Sequence, residues 1–157
     1  VYHKEIEGTA KGYYSPADNQ IVIKNGLSQQ QEIKTLIHEI AHSLLHNSEK
    51  MKDKKISRND MEVQAESVAY TVCSALGIDT SDYSFSYIAG WSQGKEIKEL
   101  KNALDLICDT ASIMIFHIEN KLTERYEEKY GKKNGESASI EIMGELEKAG
   151  KRKGMHM

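Results

Sequence analysis

His38-Glu39-Ile40-Ala41-His42, continued by Ser43-Leu44-Leu45-His46, is the stretch that decides how this chain is read. Apolar residues recur around it at Ile33, Leu36, Ile37, Ile40, Ala41, Leu44 and Leu45, the spacing of an amphipathic helix. Ser28, followed three residues later by Gln31, is a capping box where that helix should begin. On a helix, residues four apart stand one above the other, so His38 and His42 can turn both imidazoles toward one metal. Zinc suits two such nitrogens. Glu39 projects beside the metal rather than onto it, where it can take a proton from a water and later pass it to a leaving amine.

A catalytic zinc site needs three protein ligands and one open position, and the third must come from off the helix. Glu62 and Glu66 share one face of a second predicted helix, and the 19 residues between His42 and Glu62 leave room for the chain to turn back. The expected ligand is Glu62. Glu66, one turn on, is expected to accept a hydrogen bond from the outer nitrogen of a ligating histidine, with the reverse assignment kept open. His46 continues the four-residue series, but a third histidine on the same helix cannot close a tetrahedron, so a structural place at the helix end is expected. His117 lies in the apolar run 113–118 and is expected to be a satisfied core histidine. Tyr70, Tyr83 and Tyr87 are candidates to stabilise an oxyanion, and nothing in the sequence chooses among them.

Working outward, 157 residues suit one compact domain. Residues 8–24 read as a β-hairpin around Ser15-Pro16-Ala17-Asp18-Asn19. Its second arm, Gln20-Ile21-Val22-Ile23-Lys24, stops at Asn25-Gly26, and residues 21–23 offer an edge for an extended substrate to pair with. Residues 50–55 read as a solvated connection. The second helix is predicted from about residue 60 to 76, capped by Asn59 or Asp60 and ended by Gly77. Residues 79–94 read as an ordered loop punctuated by aromatics. Residues 95–130 read as one long helix or as two broken near Asp109-Thr110. The fold class is therefore α+β, with a small N-terminal sheet and a mostly helical remainder. Residues 1–130 form the domain, and residues 131–157 supply a linker, a short helix over 138–148 and a solvated basic tail ending in Lys151-Arg152-Lys153.

Composition excludes other classes. Hydrophobic residues make up 39% and charged ones 29%, and the net charge of −3 gives no general attraction to nucleic acid or membrane. The apolar runs are far shorter than a bilayer span and residues 1–10 hold no signal core, which points to the cytoplasm. Cys73 and Cys108 have no CxxC spacing and are expected to be buried free thiols in a reducing compartment. A start at Val1 without methionine is what a piece of a longer protein would show.

Taken in order, the Gly/Tyr hairpin, HEIAHSLLH, EVQAESVAY and DYSFSYIAGWS resemble the zincin-like metallopeptidase domain of ArdC-type antirestriction proteins and, more distantly, ImmA/IrrE proteases. The likeness covers roughly residues 8–122, and ExxAExxA followed by YIAGW makes it more specific than HEIAH alone. It implies a zincin fold with a small sheet beside the active-site helix, zinc held by His38, His42 and Glu62, and Glu39 as general base. It also implies a cytoplasmic protein of mobile elements, acting on a peptide or protein, that meets DNA through a separate upstream domain. Two readings follow: a zinc peptidase, or a zinc-stabilised binding module of an antirestriction or DNA-transfer protein. The intact Glu39 favours the first, since a structural zinc has no use for it.

Overall fold

The computed structural model describes residues 1–52, 56–81, 91, 92 and 94–131. Three strands, β1 (Tyr2–Lys4), β2 (Gly12–Ser15) and β3 (Gln20–Lys24), precede the helices α1 (Gln29–Leu45), α2 (Ser48–Met51), α3 (Arg58–Ala75) and α4 (Ile97–Tyr130). This is the expected α+β arrangement, with the sheet packed against the helix that carries the two histidines. The expected linker, short helix and tail after residue 131 lie outside the described residues, as do Tyr83 and Tyr87.

β2 and β3 form the hairpin, with Tyr13 opposite Val22 and Ser15 opposite Gln20. Its turn is closed from within: Asn19 takes a φ of 50°, the Tyr14 hydroxyl donates to Asn19 Oδ1 at 3.0 Å, and Ser15 Oγ donates to Asp18 Oδ2 at 2.8 Å. β1 was not foreseen, because three exposed residues carry no periodicity to read. It pairs in parallel with the other side of β3, giving the order β1-β3-β2. β3 is therefore the central strand. With both its edges bonded it cannot pair with a substrate, which corrects the expectation for residues 21–23; β2 is the edge strand beside α1.

Gly12 explains how close β2 comes to α1. A Cβ there would sit 2.7 Å from Thr35 Cγ2 and 2.8 Å from the Val22 carbonyl oxygen, so a residue without a side chain is required. α1 begins as predicted, with Ser28 Oγ accepting from the Gln31 amide at 3.3 Å. α3 begins two residues earlier than expected. Its cap is Ser57, not Asn59 or Asp60: Ser57 Oγ accepts from the Asp60 amide at 3.1 Å and donates to Asp60 Oδ2 at 2.6 Å. The C-terminal end is as read, with Gly77 at a φ of 67°. Part of the expected solvated connection is a single helical turn, α2, capped by Asn47.

The core lies between α1, α3 and α4, where Ile37, Ala41, Leu45, Val68, Val72, Ile107 and Met114 are buried together. Each large apolar side chain in it contributes about 1.5–3 kcal/mol by leaving water. Ala41, Ala65 and Ala69 are fully buried, and their small size lets α1 and α3 approach closely. α4 runs unbroken through Asp109-Thr110, where the Thr110 hydroxyl donates to the Leu106 carbonyl at 2.8 Å one turn back in the same helix. Its inward stripe is Ile107, Ala111, Met114 and Ile118. His117 falls off that stripe and is exposed, as is Cys108, so neither is the buried group expected; Cys73 is buried, and the two cysteines form no disulfide. Ahead of α4, buried Trp91 donates its indole N–H to Asp60, and Lys95 Nζ pairs with the same carboxylate at 2.8 Å. No helix among the described residues is long and apolar enough to cross a membrane.

Candidate metal centre

His38 and His42 occupy successive turns of α1, with ring centroids 4.7 Å apart and their Nε2 atoms 3.1 Å apart. α3 brings Glu62 to the same point: its Oε2 lies 3.5 Å from His38 Nε2 and 3.6 Å from His42 Nε2. A tetrahedral ion with metal–ligand distances of about 2.0–2.1 Å separates its donors by about 3.3–3.4 Å. The spacings of these three donors, two imidazole nitrogens and one carboxylate, thus fit a metal without rearrangement of the backbone. Among the described residues they form the one cluster of this kind.

Each imidazole is held from behind. Glu66 Oε2 lies 3.0 Å from His38 Nδ1, the side of the ring facing away from the donor cluster, so Glu62 rather than Glu66 stands where a ligand would. His42 Nδ1 lies 3.0 Å from His46 Nδ1, and His46 Nε2 lies 3.0 Å from Gln64 Oε1. His46 has the structural place expected of it at the helix end, where it is the C-cap of α1. Its contact with His42 and the whole part of Gln64 were missed. The four-residue step from His42 to His46 was the available signal; nothing in the sequence marked Gln64.

Glu39 is 7% exposed and accepts a hydrogen bond from the Tyr14 backbone amide on β2. Burial raises its pKa above the ordinary carboxylate value, with Glu62 adding to the rise, while His38 and the Tyr14 amide pull the other way. Burial lowers the His42 and His46 pKa values and keeps both imidazoles neutral. For His38 burial also favours the neutral form, but the Glu62 and Glu66 carboxylates outweigh it and raise its pKa. Glu62 is held well below the usual carboxylate range, chiefly by its hydrogen bond with His38. The cluster thus concentrates negative charge around two imidazoles, the electrostatics a divalent cation would satisfy.

The centre opens into a cleft of about 440 Å³, flanked by Tyr13, Tyr14 and Pro16 on the hairpin side and by Arg58 and Met61 on the α3 side. None of these five was anticipated as a site residue, because each reaches the cleft through the packing of the hairpin or α3 on α1. Tyr70, expected as one candidate for the oxyanion, is half-buried on α3 and does not line the cleft.

A small sheet beside a two-histidine helix, a carboxylate from the next long helix and a buried glutamate between them make this a zincin-like, metallopeptidase-type domain. Residues 4–84 match the IrrE N-terminal-like domain of peptidase family M78, and the chain belongs to that family. It is also 35% identical over 144 residues to an uncharacterized protein of Bacillus anthracis, a match that takes in 88% of this chain and 24% of that protein. The chain thus spans about a quarter of the length of this relative. No solved structure matches it.

Proposed function

We propose that this domain hydrolyses peptide bonds, with zinc held by His38, His42 and Glu62 and with Glu39 as the general base. The observation that carries the reading is the placement of Glu39: a buried carboxylate beside three convergent donors, oriented by the Tyr14 amide. A metal with no catalytic use would have no need of a costly buried carboxylate next to it. Zinc is favoured over harder cations because two of the three donors are imidazoles. When bound, it would act as a Lewis acid toward the scissile carbonyl.

The chain's own residues account for the remaining steps. Glu39 takes the proton of the attacking water and returns it to the leaving amine. Glu66 accepts from His38 Nδ1, which leaves Nε2 of that ring for the metal. The Lys24 amide donates to the Lys11 carbonyl at 2.8 Å, so in this antiparallel register Tyr13 and Ser15 also bond toward β3. The backbone groups of Gly12 and Tyr14 are then turned outward. The Tyr14 amide serves Glu39, and the Gly12 amide and the Gly12 and Tyr14 carbonyls form an edge on which an extended peptide can align beside the centre.

The ArdC-like motifs support placing this activity in an antirestriction protein of a mobile element, with residues 1–130 as the peptidase domain and DNA contacted through a separate domain. Cys73 and Cys108, which form no disulfide, support a cytoplasmic setting. The test is to incubate the zinc-loaded chain with a broad peptide library and read new N-termini by mass spectrometry. Cleavage that a chelator abolishes and zinc restores is the expected result. Stoichiometric zinc without cleavage of any peptide contradicts the peptidase reading and favours the binding-module alternative.

A further inference from the structure

His42 lacks the support that His38 has. No carboxylate stands behind its Nδ1; the neighbour is another imidazole, His46, 3.0 Å away, and behind that is the side-chain oxygen of Gln64, again at 3.0 Å. His46 and Gln64 are each 6% exposed, so both partners are largely withdrawn from bulk solvent.

With the Gln64 side-chain oxygen facing His46 Nε2, the hydrogens of these groups follow in order. The Gln64 amide oxygen can only accept, so the N–H of His46 sits on Nε2. Buried and without a carboxylate on either nitrogen, His46 is neutral, which leaves its Nδ1 as an acceptor. A 3.0 Å contact between two ring nitrogens needs one hydrogen between them, and here His42 must supply it from Nδ1. A neutral His42 with its hydrogen on Nδ1 has its lone pair on Nε2, the atom 3.6 Å from Glu62 Oε2 and 3.1 Å from His38 Nε2.

We propose that Gln64 and His46 are positioning residues for the metal centre: together they fix the Nδ1–H tautomer of His42 and hold its Nε2 lone pair toward the metal. The inference rests on the metal-centre reading above. Without the relay, His42 could place its hydrogen on Nε2, pointing into the donor cluster and blocking coordination. The relay is uncharged, unlike the Glu66 support behind His38. It orients the second ligand without adding another carboxylate to a site that already holds Glu39, Glu62 and Glu66.

The test is zinc affinity of the full chain by competition with a chromophoric chelator, alongside histidine nitrogen chemical shifts of the metal-free protein. Gln64→Met and His46→Leu should weaken zinc binding about 10- to 100-fold and give His42 a mixed tautomer signature. His46→Asn, whose Oδ1 can occupy the Nδ1 position and accept from His42, should stay within a few-fold of wild type. Thermal melts of the metal-free variants separate this from unfolding. If His46→Leu does not fold, Gln64→Met and the nitrogen shifts decide. Wild-type zinc affinity and an unchanged His42 tautomer in Gln64→Met overturn the relay alone. Failure of the wild type to bind zinc overturns the metal-centre reading and this inference with it.

Discussion

Glu66 on α3 and His38 on α1 are joined by a 3.0 Å contact between Oε2 and Nδ1, so the helix that carries Glu62 also orients a histidine on the facing helix. The metal-site geometry depends on the α1–α3 packing. Glu66→Ala is expected to lower zinc affinity about 10- to 100-fold, and Glu66→Gln, which keeps an acceptor oxygen, is expected to lower it less. Equal affinity in wild type and Glu66→Ala, measured by chelator competition, would remove Glu66 from the site.

Gly12→Ala tests the close approach of β2 to α1. The added methyl would meet Thr35 Cγ2 and the Val22 carbonyl below 3 Å, and the backbone oxygen cannot step aside as a flexible side chain could. A loss of about 1–3 kcal/mol is expected from such overpacking, read by urea unfolding. Displacement of β2 should also weaken the Tyr14–Glu39 bond, so peptide cleavage should fall while zinc content holds. A variant as stable and as active as wild type would show that the contact relaxes at no cost.

Asp60 fastens the start of α3 to the segment before α4. Burial alone would raise its pKa, but hydrogen bonds from Lys95, Ser57 and Trp91 outweigh it and hold the carboxyl down to about 2. Asp60→Ala should cost about 1.5–3 kcal/mol, the range for hydrogen bonds to a charged group, and Trp91→Phe a smaller part of that. Denaturant unfolding followed by Trp91 fluorescence measures the first, and circular dichroism both. Stability unchanged in Asp60→Ala would make the clip incidental.

Much of this was legible in the sequence because it rests on local periodicity. The four-residue step from His38 to His42, the Ser28 cap, the hairpin around residues 15–19 and the Glu62–Glu66 pair are all written within single elements. What escaped reading depends on contacts between elements. β1 is identified by pairing, not by its own three residues, and its presence moved the open edge from β3 to β2. His117 looked buried because its neighbours are apolar, and Cys108 because it has no pairing or metal-ligand spacing, yet both sit off the one stripe of α4 that meets the core. Gln64 joined the site through His46, a contact across two helices. The missed cap at Ser57 was a local signal, Ser57-Arg58-Asn59-Asp60, displaced by the nearer Asn59 and Asp60.

The most direct test of the account compares wild type with Glu39→Gln for metal content and for cleavage of a peptide library under the same conditions. The substituted amide would keep the shape of the Glu39 side chain and an acceptor for the Tyr14 amide but could not take a proton. The account predicts one zinc per chain in both proteins, and cleavage by the wild type reduced about 100- to 10,000-fold in the variant. Equal cleavage by both proteins, or zinc in neither, would contradict it.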